Sequence, residues 1–403
     1  MDQYAVTFII EYLVFFIAFL LSFTPFANKY FASKKYSVLI LFILLLQVIS
    51  AWLLKKEIGD VMLFSGAGGY LRKRIDFYWI DADHGQYPFF PFLLFVYAAI
   101  NWITCKIPTI IFSFILKLLM LIPVHYLGKK IEEVNQAQSV KQARKIRARF
   151  LLNPITYAVI FFHGQTDIIL IAFYIASLMI WTKAQTVKQS FISGLLFACS
   201  VASKTWSGLF LPLILLGKQT LINKMIFTIT TIIFLLSNIY IYILFMNRNT
   251  SFDLILEAIL SPGGSIGNWG IGLFLNNFFE FTIQYRFVLL MLPLIVFTLI
   301  YIRKFTLLKR SLLLVLSLYI ILLNWGIQYI FWIIPFSYML YSWIDRKAWK
   351  LFLITSIPYT FVSYLYVIVL NQTFVLNIQR LLGLSVWITC IWWFYRQAVK
   401  VKV

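Results

Sequence analysis

The sequence predicts an all-α, polytopic transmembrane protein, and three observations carry that reading. Hydrophobic residues make up 62% of the 403, charged residues only 12%, and the mean hydropathy is +0.88, far outside the range of soluble domains. Several apolar runs are long enough to cross a hydrocarbon core of about 30 Å, which takes roughly 17 to 25 helical residues. No segment alternates at period two, so a barrel is not expected. At about 20 residues per crossing, the chain predicts roughly 11–13 membrane helices in one transmembrane domain over residues 1–403.

Met1 to Ser22 is the first apolar run. It lacks a basic n-region and a small-residue cleavage site, and so reads as a retained helix with the N-terminus outside. Val38 to Leu54 reads as the next span. A polar island follows at residues 55–87, holding Asp60, Asp76, Asp81 and Asp83 in a chain with 14 acidic residues, and reads as a large external loop. Pro88 to Cys105, with Pro88, Pro91 and the Asn101-Trp102 pair, reads as a juxtamembrane or re-entrant helix, tolerated where protein covers it. Ile107 to Leu127, Met225 to Phe245 and Leu351 to Leu370 read as further spans. Polar knots interrupt the apolar pattern at Phe162-His163-Gly164-Gln165-Thr166-Asp167, at Ser203-Lys204-Thr205-Trp206 and at Asn324-Trp325-Gly326-Ile327-Gln328-Tyr329. Each predicts an external helix end between unusually short apolar runs. Cys105, Cys199 and Cys390 are scattered through apolar runs, so neither a disulfide framework nor a cysteine metal site is expected.

Orientation follows from the cations, because Lys and Arg accumulate in short cytoplasmic loops. They cluster at residues 29–35, 129–149, 183–188, 218–224, 303–310, 346–350 and 396–402, where Glu132, Glu133 and the adjoining Asp345 are the only acids. The net charge of +21 is therefore a topology signal, and no soluble basic domain exists to bind nucleic acid. With the basic clusters inside, the Asp-rich loop, the three knots and the loop from Asn247 to Arg286 share the other face. The odd number of crossings needed between residues 55–87 and 129–149 is why 88–105 is read as not spanning. The Ile-, Lys- and Phe-rich usage points to a bacterial cytoplasmic membrane.

The chemistry on that face must come from carboxylates, histidines, amides and isolated cations. Asp60, following the second helix, is placed to take a proton from an acceptor hydroxyl as that oxygen attacks a sugar carbon; capping or solvating the loop is the alternative. Asp81 and Asp83, two residues apart, suit a divalent cation or sugar hydroxyls, or a solvated loop. No other metal ligands stand out and no organic cofactor is implied. Lys204 lies between two apolar runs, where an ionisable residue is expensive and functional by default. A lipid phosphate is its natural partner, with snorkelling to the interface as the competing reading. His163 and Asp167 either position a substrate or form a structural pair in a broken helix.

In their order along the chain these residues resemble the GT-C glycosyltransferases, integral membrane enzymes that use a polyprenyl-phosphate sugar, and among them the branch containing glycosylphosphatidylinositol mannosyltransferase I. The elements that match are Asp60 at the start of the first large loop, Tyr87-Pro88-Phe89-Phe90-Pro91, the basic run to Arg149, Asn153-Pro154, His163-Gly164-Gln165-Thr166-Asp167, Ser203-Lys204-Thr205-Trp206, and Gln328-Tyr329 ahead of Trp332 and Pro335. The chain departs from the pattern in Tyr-Pro-Phe-Phe-Pro for Tyr-Pro-Pro, in having no acidic residue close after Asp60, and in an extra helix before the usual first one.

The resemblance implies a GT-C-like architecture and an inverting transfer of a hexose, mannose favoured, onto a lipid or glycan acceptor of the cell envelope. Asp60 would be the catalytic base. The donor phosphate would lie near Lys204 and Arg286, with Tyr87, His163, Gln165, Asp167, Gln328 and Tyr329 lining the substrate site. Two other classes stay open. A lipid-linked polysaccharide polymerase or ligase would depend on an arginine such as Arg248 or Arg286, and a flippase or transporter would place its ionisable residues near the midplane of a repeated half, a repeat not visible here.

Overall fold

The computed structural model describes residues 3–33, 35–57, 60–81, 89–107, 111–137, 139–246, 250–260, 305–321, 326–366 and 373–400. Among them there are helices and no strand. In chain order they are α1 (Gln3–Leu21), α2 (Pro25–Ala32), α3 (Tyr36–Leu53), α4 (Asp60–Arg72), α5 (Phe77–Asp81), α6 (Phe92–Lys106), α7 (Phe112–Asn135), α8 (Val140–Leu151), α9 (Pro154–Tyr157), α10 (Asp167–Trp181), α11 (Val187–Ser203), α12 (Leu211–Leu215), α13 (Leu221–Phe245) and α14 (Phe252–Leu260). Helices Leu307–Ile321, Ile333–Met339, Arg346–Leu365 and Thr373–Tyr395 follow.

Five described helices are long and apolar enough to cross a membrane: α1, α3, α7, α13 and Phe374–Ala398; counting the broken pair Pro154–Phe162 and α10 as one span makes six. α3 and α13 bury only 28% of their most apolar windows. Their outer faces carry Val38, Leu41, Phe42, Leu45 and Ile49, and Ile229, Ile232, Ile233 and Leu236. Such continuous apolar surface is a liability in water and a requirement against lipid, and these helices fit a multi-pass membrane protein.

Among the described residues this is fewer than the 11–13 crossings expected of the whole chain. Several apolar segments are cut short where polar residues break the helix, so α6, α11, Thr205–Leu215 and Ile327–Met339 fall below spanning length. The run from Leu351 lies in helix Arg346–Leu365, whose first turn carries Arg346, Lys347 and Lys350. The segment expected as an external loop is itself partly helical. Val61, Phe64, Ala67, Gly68 and Leu71 are buried at helical spacing, which makes α4 an amphipathic helix.

The chain divides into two compact units. The first comprises Met1–Leu54, His125–Phe162 and Ser265–Val403, and the second Lys55–Val124 and His163–Gly264. In the first, α1 inserts Phe8 against Phe162, with ring centroids 3.9 Å apart, and stacks Phe15 on Tyr157 at 4.3 Å. Tyr12 donates to the Ile357 carbonyl at 2.8 Å. Pro154 opens α9 where a missing N–H costs nothing, and Asn153 caps it by accepting from Ile155 and Thr156. The basic cluster on α8 is braced by Arg147 on Glu132 at 2.8 Å, and Tyr36 donates to the same carboxylate at 3.1 Å.

In the second unit, α4 and α6 approach so closely that a Cβ on Gly68 would lie 2.5 Å from the Tyr97 carbonyl oxygen. Only glycine permits that contact. Ser177 and Ser193 exchange hydroxyl-to-carbonyl hydrogen bonds of 2.8 and 2.9 Å between α10 and α11. These packed helices form the frame of the site.

Candidate functional site

The polar knot after Phe162 is the point at which the helix pattern fails. Residues 158–162 widen into a π turn, α10 starts only at Asp167, and Gly164 turns the chain between them with φ +73°. A side chain there would be doubly opposed, by the left-handed backbone and by Val61, whose Cγ2 occupies the space a Cβ would need. Because Val61 follows Asp60, this turn lies directly against the start of α4. The contact brings His163 and Gln165 to the Asp60 carboxylate.

Asp60 is the first residue of α4 and does not close the preceding helix, as the sequence suggests. α3 ends at Leu53, and the apolar spacing of α4 sets the new start. A carboxylate in the first turn is favoured by the helix dipole. One of its oxygens accepts a short hydrogen bond from Gln165 Nε2. The other is 3.9 Å from His163 Nε2, beyond hydrogen-bond range. The Asp60 side chain is 40% exposed and that of His163 17%.

The second knot supplies the counterweight. α11 ends at Ser203, Lys204 is extended, and a 3-10 turn runs from Thr205 to Phe210. Lys204 Nζ donates to Asp167 at 2.7 Å and to Gln165 Oε1 at 3.1 Å, and the ion pair is closed, with side chains 3% and 0% exposed. The ammonium fixes which end of the Gln165 amide faces which way: oxygen toward Lys204, nitrogen toward Asp60. Asp167, Lys204, Gln165 and Asp60 thus form one chain of charge-assisted hydrogen bonds, buried at one end and open at the other. At the open end stands a carboxylate held in a fixed position, able to accept a proton from a bound hydroxyl.

Five of the predicted site residues, Asp60, His163, Gln165, Asp167 and Lys204, therefore meet in the second unit. Gln328 and Tyr329 belong to the first, on the 3-10 turn Ile327–Trp332, where the Tyr329 carbonyl accepts from Tyr319. Asp83, Tyr87 and Arg286 lie outside the described residues, as does the side chain of Asp81. Among the described residues no group of three His, Cys, Asp or Glu could hold a metal ion.

Asp76, the remaining aspartate of the island, is structural. It accepts from Tyr242 at 2.9 Å and from the Tyr78 backbone at 3.1 Å. Tyr78 then donates to the Phe89 carbonyl at 2.5 Å, and the Phe89 ring lies 5.4 Å from Lys204 Nζ, a cation–π contact that the sequence did not suggest. Lys117 is a further omission. It is fully buried on α7, and its Cε lies 3.7 Å from where a Gly164 Cβ would be. A lone lysine inside the run from Ile107 to Leu127 was the available signal.

No protein-family model, no curated protein and no solved structure matches the chain.

Proposed function

We propose that this chain is a membrane glycosyltransferase that moves a hexose, mannose favoured, from a polyprenyl-phosphate sugar to a lipid or glycan acceptor on the extracytoplasmic face of a bacterial cytoplasmic membrane. The observation that supports it most is the partly exposed Asp60 carboxylate, held by Gln165, whose amide is oriented by the buried Lys204–Asp167 pair. In this reading Asp60 takes the proton of the acceptor hydroxyl. The acceptor oxygen attacks the anomeric carbon, the bond to the phosphate breaks, and the lipid phosphate leaves with the electron pair, inverting the centre. Lys204, closed on Asp167, orients the Gln165 amide, and Arg286 supplies the positive charge at the leaving phosphate, where preorganised charge is most effective. His163 sits beside the open carboxylate oxygen and orients the acceptor.

The test is transfer of radiolabelled sugar by the purified chain from synthetic polyprenyl-phosphate mannose or glucose into lipid and glycan fractions. Labelled product with inverted anomeric configuration is the expected result. Absence of transfer from every donor, in protein that remains folded, would refute the reading and favour a polymerase or transporter.

A further inference from the structure

Lys117 has no part in the reaction as drawn, yet it carries an amine fully buried in the apolar helix α7. Burying an ammonium is costly unless an opposite charge or a task compensates. Its position suggests the task. The stem packs against the Gly164 turn, 3.7 Å from the Cβ position, on a site shared with Val61 of α4. Its charge interacts with Glu57, in the short segment that leads into Asp60, and with His163 on the turn itself. Among the described residues the charged groups around that turn include Glu57 before α4, Asp60 on α4, Lys117 on α7, His163 in the turn, Asp167 on α10 and Lys204 after α11.

We propose that Lys117 is a positioning residue for the Asp60 site. Its stem supports the turn that presents His163 and Gln165 to Asp60, and its ammonium is attracted by Glu57. Lys117 thus sets the distance between the base and the two side chains that meet it. This inference rests on the reading of Asp60, Gln165 and His163 as the active centre. It adds a residue that touches neither substrate nor the reacting atoms. A displacement of about 1 Å at a reacting group costs about a hundredfold in rate, so the effect belongs in kcat.

The test uses the full-length purified chain in two assays. In the transfer assay, Lys117→Met lowers kcat by about tenfold to a hundredfold with donor KM changed less than about threefold, and Lys117→Arg recovers most of the loss. Glu57→Gln lowers kcat in the same direction, and the double variant is no worse than Lys117→Met alone, because both remove one interaction. Wild-type kcat in Lys117→Met, or additive losses, would overturn the proposal. The second assay needs no reaction. The sequence has three histidines, so selective ¹⁵N-histidine labelling gives few signals, and His163→Gln assigns the one of interest. That signal moves in Lys117→Met and in Glu57→Gln and returns in Lys117→Arg. An unmoved His163 signal in both variants refutes the positioning role whatever the chemistry. If it moves while wild type transfers no sugar, the placement stands and the glycosyltransferase reading falls. Should Lys117→Met not fold, Glu57→Gln at a half-buried position carries both assays alone.

Discussion

Glu11 in the first unit and Asp60 in the second are both carboxylates held by neutral donors from other parts of the chain, yet Glu11 is buried and 40% of the Asp60 side chain is exposed. Glu11 accepts a short hydrogen bond from Ser50 and one of 3.4 Å from Tyr157. One turn away on α3, Gln47 donates to the Leu151 carbonyl at 3.0 Å and meets His125 at 2.8 Å. These groups join α1, α3, α7 and the α8–α9 region, and their bonds point inward. Around Asp60 the network is just as connected but ends at an exposed carboxylate. Polar groups inside an apolar bundle are expensive, so they are kept either to specify packing or to perform chemistry; whether the network ends inside or outside separates the two uses here.

Breaking the buried end of the second network has the largest expected effect. Lys204→Met removes the cation from a carboxylate with no exposed surface, and breaking such a buried pair costs about 3–5 kcal/mol. Thermal unfolding in detergent should show this loss, and Lys204→Met combined with Asp167→Leu should regain much of the stability without the activity. Gly164→Ala comes next, at about 1–3 kcal/mol for the left-handed backbone alone. The displaced Val61 should also separate Gln165 from Asp60, so transfer falls further than stability does. In the first unit, Glu11→Gln keeps an acceptor for Ser50 and should cost under about 1.5 kcal/mol, read from the same melts, with activity retained.

The smallest effect is a pH dependence at the basic face. Asp345 pairs with Arg396 at 2.7 Å. Burial pushes its carboxyl up, but hydrogen bonds from the Ala348 and Lys347 backbone and from Arg396 outweigh that and hold it below the ordinary carboxylate value. A lowered folded-state pKa means the contribution is present above the unfolded-state value and is lost as pH falls through the folded-state value. For a single pair that keeps part of its surface exposed it amounts to about 1 kcal/mol. Melting temperatures of wild type and Asp345→Asn should therefore differ at neutral pH and converge in acid.

The apolar runs were legible because their lengths and cations report directly on the bilayer, and Val38 to Leu54 and Met225 to Phe245 match α3 and α13 closely. The polar knots were legible as helix breaks for the same reason, since His163 to Thr166 and Lys204 interrupt apolar patterns. Convergence was not legible from spacing. Asp60 and Gln165 are 105 positions apart, Gln165 and Lys204 39, and tertiary packing, such as that of Val61 on Gly164, brings them together. Among the described residues the full-length spans are fewer than composition suggests, because a 15- or 17-residue apolar helix counts as a span by composition and not by length. Lys117 and Glu11 were passed over for the opposite reason: each is a single charge that an average over its run conceals.

The central claim is that the open network catalyses and the closed one only holds helices together. Sugar transfer from polyprenyl-phosphate mannose by Asp60→Asn and Glu11→Gln, prepared side by side and matched for folded protein, tests it most directly. Loss of about 10²–10⁴-fold in Asp60→Asn, the usual range for a general base, with Glu11→Gln within about threefold of wild type, is the predicted result. Equal transfer by wild type and Asp60→Asn, or loss in Glu11→Gln alone, would contradict it.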